Sequence, residues 1–150
     1  MEDLTGARIV EIRRVLNMAV VGFARDDEEF RLHAQCPFRL LIGDRVLLGT
    51  KDMWYRRDRD MEFDVAWDTY ATVFDKRAEE ITSILASEEH VVASAEVGAV
   101  GLFTVEATTG LHIDVLPDSS SKRLEMWRLF ARHDIERHFV YPPEVEEEDD

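Results

Sequence analysis

One cysteine, four prolines and seven glycines are all that this 150-residue chain carries of the residues that most constrain a backbone. A lone Cys36 excludes an internal disulfide, so packing must hold the fold, and a reducing, cytoplasmic setting is expected. No apolar run approaches the roughly 20 residues that a membrane-spanning helix needs. The opening MEDLTGARIVEIRR lacks the charged-then-apolar layout of a leader, so no membrane partner is expected. Basic residues are also scarce: 18 Lys and Arg stand against 32 Asp and Glu, for a formal charge of −14. A surface of that sign repels phosphate backbones, which argues against nucleic acid; it serves either solubility or, in the sharper reading, a basic protein partner. A glycine-rich phosphate loop, paired cysteines at zinc spacing, a GxSxG elbow and an HExxH helix are all missing, so no cofactor is indicated.

What the chain does contain is a globular balance of 45% hydrophobic and 33% charged residues, which excludes global disorder. Its length suits one core burying roughly 68–70% of the extended surface. We therefore expect a single globular domain over residues 1–142. The closing PEVEEEDD, at 143–150, holds six of the 32 acids and only Val145 to bury; it reads as a disordered acidic tail.

Inside the domain, one stretch is written twice. AVVGFARDDEEFRLHA at 19–34 parallels VGLFTVEATTGLHIDV at 100–115, with Val21 on Leu102, Phe30 on Leu111, Leu32 on Ile113 and Ala34 on Val115. Each copy is followed by an aromatic-Arg-Leu-apolar tetrad, Phe38-Arg39-Leu40-Leu41 and Trp127-Arg128-Leu129-Phe130. Period-2 alternation predicts strands at 18–24 and 30–34, with Asp26-Asp27-Glu28 as the turn. Gly6 to Arg13 reads as a strand with Val10 and Ile12 inward, although Ile9, Ile12 and Leu16 also fall near helical spacing. Pro37 predicts a bend or edge, and Gly43-Asp44 a hairpin turn between 38–42 and 45–48. Further strands are expected at 90–96, 100–106, 111–115, 124–130 and 138–141. Between the halves, Ala66, Tyr70, Val73, Phe74, Ala78, Ile81, Ile84 and Leu85 form one apolar stripe. That stripe predicts a continuous helix over about 64–86, capped by Asp64 or Asp68. The fold class is thus α+β: antiparallel β-meanders in two related halves, packed around one main helix.

Few side chains suggest chemistry. His112 and Asp114, with His133 or His138 downstream, have the layout of a two-His-one-carboxylate metal set. They occupy the polar positions between Leu111, Ile113 and Val115, however, which predicts a solvated face, and no metal is expected. His33 and Cys36 lie three apart on a strand and point to opposite faces; Cys36 reads as a small buried hydrophobe. Arg39 and Arg128 are either outward-facing strand residues or a clamp for a carboxylate or phosphate. The stretch Trp54-Tyr55-Arg56-Arg57-Asp58-Arg59-Asp60 concentrates the residue types that dominate binding hot spots. It is either an interaction surface or a loop that Trp54 and Phe63 pin to the core.

The run Leu32-His33-Ala34-Gln35-Cys36-Pro37-Phe38-Arg39, followed by Val46-Leu47-Leu48-Gly49-Thr50-Lys51-Asp52 and by Trp127-Arg128-Leu129-Phe130, resembles a pattern of small bacterial proteins of uncharacterised function. Their pattern is LHxQCPWR, then ILxGSxD, then WRLF, with Phe38 here in place of Trp and Thr50 in place of Ser. The resemblance covers most of the chain, implies no activity, and makes Asp52 the family-like acid.

The function expected from these readings is a non-catalytic protein-binding module, such as an immunity- or inhibitor-type protein that masks a basic partner. The alternative is a small-ligand-binding protein or enzyme with a site near Arg39, Asp52, Trp54 and Arg128. Pairing of two copies into a homodimer is compatible with either.

Overall fold

In the computed structural model, which describes residues 4–144, the strands are β1 (Arg8–Val15), β2 (Met18–Arg25), β3 (Glu28–Ala34), β4 (Phe38–Ile42), β5 (Arg45–Gly49), β6 (Val92–Val97), β7 (Phe103–Ala107), β8 (Leu111–Val115), β9 (Trp127–Ala131) and β10 (Asp134–Tyr141). Two helices, α1 (Phe63–Asp68) and α2 (Val73–Ser87), lie between β5 and β6. The strands form two antiparallel five-stranded sheets, ordered β1-β2-β3-β9-β10 and β5-β4-β8-β7-β6. The expected α+β class, with related meanders and one main helix, is therefore present. The acidic tail expected at 143–150 lies, from Val145 onward, outside the described residues.

The two halves have exchanged hairpins. Each sheet holds a three-stranded meander from one half and a two-stranded hairpin from the other. Pro37, which cannot donate to a ladder, sits where the chain leaves β3 for the opposite sheet. As a result the repeated tetrads land on equivalent sites. Trp127, Arg128 and Leu129 pair with Ala34, His33 and Leu32, while Phe38, Arg39 and Leu40 pair with Val115, Asp114 and Ile113. The constant offset fails at one point. Val21 lies opposite Leu32 and Val105 opposite Ile113, so Val105, not Leu102, is the partner of Val21 in the repeat. The hairpin of β7 and β8 is shorter than that of β2 and β3, although its turn is one residue longer, and the strand starts at Phe103 rather than Val100. Residues 99–101 instead form a single 3-10 turn.

Inward residues of both sheets meet in one core. Trp127 is fully buried, stacks on Phe139 at 5.2 Å, and donates its indole N–H to the Gly101 carbonyl at 2.8 Å. Gly101 has φ +80°, and a Cβ there would come within 2.3 Å of the Tyr141 ring, so both conformation and contact demand glycine. At the opposite side, Gly6, Ala7 and Ile9 exchange backbone hydrogen bonds of 2.8–3.0 Å with His90 and Val92, stitching β1 to the start of β6.

Strand β1 departs from simple alternation. A bulge between Ile9 and Glu11 takes up Val10, so the buried pair is Ile9 and Ile12 rather than Val10 and Ile12. This bulge accounts for the helix-like spacing of the apolar residues. Beyond it, Arg14 points inward on the same face as Ile12 and is 3% exposed.

The single helix expected over 64–86 is divided. Thr69 to Thr72 separates α1 from α2, and Tyr70 adopts φ +55° there. The cap is neither Asp64 nor Asp68. Glu62 precedes α1 without a side-chain bond, and α2 is capped by Thr72, whose hydroxyl accepts the Asp75 N–H while the Asp75 carboxylate accepts the Thr72 N–H. The break turns Tyr70 out, half exposed, and Ile84 also faces away from the core. Phe74, Ala78 and Leu85 carry the burial, with Phe74 6.4 Å from Phe38. Helix α2 lies along β1, where the Thr82 hydroxyl both accepts the Ile12 N–H and donates to the Ile12 carbonyl, each at 3.0 Å. One edge of the first sheet is thereby covered rather than left open to other strands.

Arg14 and Asp75 join these parts. The guanidinium Nε lies 3.0 Å from Asp75 Oδ1 and Nη2 2.9 Å from Oδ2, with both side chains almost wholly buried. Removing one partner leaves the other charged and desolvated, which typically costs about 3–5 kcal/mol. Arg14→Ala and Asp75→Ala should each lose roughly that much in chemical denaturation, whereas Arg57→Ala, from an exposed pair with Glu80, should change stability by less than about 1 kcal/mol.

Candidate interaction surface

The segment after β5 begins with a 3-10 turn over Thr50–Trp54. Asp52 organises it: its Oδ2 accepts the Gly49 N–H at 3.0 Å and its Oδ1 faces Arg77 of α2 at 3.4 Å. The residue that pins the loop is Met53, fully buried, and not Trp54. Farther on, the Tyr55 carbonyl accepts the Val73 N–H at 2.7 Å and Arg56 bridges to Thr72, so the loop is tied to the start of α2.

With Met53 inward, Trp54 is forced outward and is 53% exposed. Its indole stacks on Trp67 of α1, with centroids 5.1 Å apart and planes 11° from parallel. Phe63 completes a group of three rings, 6.4 Å from Trp54 and 5.9 Å from Trp67. The shelf is supported by Arg14, whose guanidinium carbon lies 4.2 Å from the Trp67 centroid and 4.6 Å from that of Tyr70. Arg14 also donates to the Trp67 and Leu16 carbonyls at 2.6 and 2.9 Å. The side chain that neutralises Asp75 therefore also fixes the position of an exposed aromatic surface. Glu62, Asp64 and Asp68, all exposed, are the chain neighbours of Phe63 and Trp67. Beside Tyr70 a groove of about 490 Å³ runs between β1 and α2, with Arg13, Glu79 and Ser83 on its walls.

The other candidates are dispersed. Arg39 lies on the outer face of the second sheet, Arg128 on that of the first, Asp52 in the turn and Trp54 on the shelf. The two arginines do not form a clamp, and no site unites the four residues. Tyr55 and Arg56 are exposed beside the shelf, and Arg57 pairs with Glu80 of α2 at 3.0 Å. Arg39 Nε donates to Asp114 Oδ2 at 2.7 Å, and Arg128 Nε donates to Glu125 at 3.0 Å.

His112 and Asp114 do share a face, but it is less solvated than expected, because Asp114 is buried beneath its partners. His112 Nε2 meets Asp114 Oδ1 at 2.6 Å and Nδ1 bonds Glu106, so carboxylates engage both ring nitrogens. His138 is on β10 in the other sheet and His133 in the turn before it, which separates them from His112. Among the described residues, no group of three His, Cys, Asp or Glu is placed to hold a metal.

Compared with protein-family models, curated proteins and solved structures, the chain matches none of them. Among the described residues, no helix is long and apolar enough to cross a membrane.

Sequence reasoning missed Arg14, Trp67, Asp75 and Thr82. A signal existed for two of them. Thr72-x-x-Asp75 is a capping-box pattern, and Arg14 follows Ile12 at strand period, which marks it as inward. The stacking of Trp67 on Trp54 left no such trace.

Two groups yield direct expectations. Burial, and then the charge of Asp118, push the Cys36 thiol up to about 12. The folded protein should therefore resist a thiol reagent at about pH 8 and label fully once denatured. For His112, burial opposes the charged ring, but hydrogen bonds that the ring donates to Glu106 and Asp114, with their charges, outweigh it and raise the pKa above 6.5. A raised imidazole adds stability that is complete below about pH 6.5 and is lost as pH climbs through the folded-state value. The stability difference between the parent and His112→Gln should accordingly shrink as pH rises from about 5 to 9; a constant difference would refute this.

Proposed function

We propose that this chain is a non-catalytic protein-binding module whose partner is basic, with an inhibitor- or immunity-type role as its concrete form. The observation that carries the reading is the Trp54–Phe63–Trp67 shelf, half exposed yet held in place by Arg14 and Met53. Rings fixed before binding lose little conformational freedom on association, and Trp is among the residues that dominate interface energies. The neighbouring carboxylates of Glu62, Asp64 and Asp68 suit lysine or arginine side chains of a partner, which the ring faces would also attract. The net charge of −14 would speed the encounter. The groups best suited to acid–base or nucleophilic work, His112 and Cys36, are engaged by carboxylates and by burial respectively. The alternative, a small-ligand site near Arg39, Asp52, Trp54 and Arg128, has less support, because Arg128 and Arg39 lie on different sheets.

The test places a photo-crosslinking residue at Val65, beside the shelf, and a control at Ala99. Proteins captured at Val65 should be basic, should fade with added salt, and should be lost in Trp54→Ala. That substitution should weaken a purified complex by about 2 kcal/mol or more, roughly 30-fold, and leave the fold intact. Adducts indifferent to Trp54, or acidic partners, would overturn the reading. A crosslink to a second copy of the chain would assign the shelf to self-association instead.

A further inference from the structure

The internal repeat permits a residue-by-residue comparison of the two outer sheet faces, and their charges differ. Across the second sheet one row runs Gly49, Arg39, Asp114, Thr104 and Glu96. The equivalent row across the first sheet runs Val140, Arg128, His33, Val20 and Arg13. In the second sheet the arginine faces a cross-strand carboxylate, and Glu96 adds another. In the first, His33 replaces that carboxylate and Arg13 replaces the glutamate. The row that holds its own acids on one side carries two arginines and a histidine on the other, and there the acids come from outside the row, Glu11 on Arg13 at 3.1 Å and Glu125 on Arg128 at 2.9 Å.

The Arg128 end of this row opens into a cleft. Two adjoining cavities of about 340 and 360 Å³ lie there, with the Arg128–Glu125 pair on the walls of both. Lys122 and Arg123 line one end, and His33 and Phe130 the other. Val140 and Pro142 add apolar wall. His33 meets the Phe130 ring edge-on at 4.8 Å. The environment of His33 reports the same field: burial first, then the charge of Arg13, hold its pKa below 6.5, with Arg128 and Arg31 acting alike and Glu125 opposing them. The cleft already grips one carboxylate of its own. Arg128 donates from Nε and Nη2 to Glu125 Oε1 at 3.0 and 2.9 Å, and Gln35 donates to Oε2. This fixes the guanidinium plane, which suits binding of further planar, bidentate acceptors.

We propose that this cleft is a second binding site, separate from the shelf, for a carboxylate-rich peptide segment carrying an occasional apolar side chain. Carboxylates match the acceptor that Arg128 already holds, and Phe130, Val140 and Pro142 offer contact to an apolar neighbour in the same segment. A nucleic-acid backbone needs cations in unbroken succession along its path, whereas here Glu125 and Glu144 interrupt Lys122, Arg123 and Arg128, a spacing that a peptide with separated carboxylates can follow. The site shares no residue with the aromatic shelf, so either reading can fail without the other.

The experiment titrates the full chain with a fluorescent peptide PEVEEEDD and its neutral counterpart PQVQQQNN, at low and moderate salt. Because the same acidic sequence follows Glu144 in the chain and would compete with the peptide, the titration is repeated on the variant Glu146→Gln/Glu147→Gln/Glu148→Gln. The acidic peptide should bind, more tightly to that variant than to the parent, while the neutral peptide binds at least tenfold more weakly. Arg128→Gln should weaken binding at least tenfold and Lys122→Gln a few-fold. Arg39→Gln, at the equivalent place on the other sheet, should leave it unchanged. Circular dichroism confirms that each variant is folded, and the His33 ring resonance should titrate at higher pH when the peptide is bound. Absence of binding to both chains, equal losses from Arg39→Gln and Arg128→Gln, or stronger competition by inorganic phosphate or a single-stranded oligonucleotide would each overturn the proposal.

Discussion

The ion pair of Arg14 and Asp75 is the constraint on which the rest of this structure turns. A guanidinium this deep must have acceptors, because an unpaired buried charge is untenable. It finds them in the Asp75 carboxylate and in the carbonyls of Leu16 and Trp67. Those contacts fix the turn after β1, the end of α1 and the first turn of α2 relative to one another. Asp75 in turn caps its own helix through Thr72, so the helix starts where the ion pair needs it. Trp67 is held against the guanidinium, and Trp54 rests on Trp67. A charge placed inside the fold thus determines an aromatic surface outside it.

The exchange of hairpins has a comparable reach. Each meander is completed by strands from the other half, so neither half can finish its sheet alone. Identical frames with different side chains then acquire different properties. Arg39 is balanced by Asp114 across the strand pair, while Arg128 has His33 in that place and takes its carboxylate from Glu125 in the preceding loop. The common backbone makes the exchange of one residue, Asp for His, legible as a change in where the neighbouring arginine finds its carboxylate.

Much of the architecture was legible along the chain because it depends on local periodicity. Phe30, Leu32 and Ala34 alternate with polar residues, Gly43 permits the turn between β4 and β5, and the tetrads mark equivalent strands. The errors arose where a local rule was overridden. The stripe from Ala66 to Leu85 reads as one helix, but Thr72 caps a second one and Tyr70 turns out between them. Val10 reads as a core residue until the bulge moves Ile9 into its role. The candidate site residues were the least legible. Arg39, Asp52, Trp54 and Arg128 have suitable chemistry, yet nothing in their spacing shows that they lie on different faces.

The sequence by itself determined the α+β class, the repeat, the hairpins and the inward position of most apolar residues, because periodicity and turn chemistry act over a few neighbours. Only the tertiary structure decided which sheet each hairpin joins, where the helical stripe breaks, and which charged residues are neutralised. Those outcomes depend on groups far apart in the chain, such as Arg14 with Asp75, whose pairing is settled by desolvation and packing once distant segments meet.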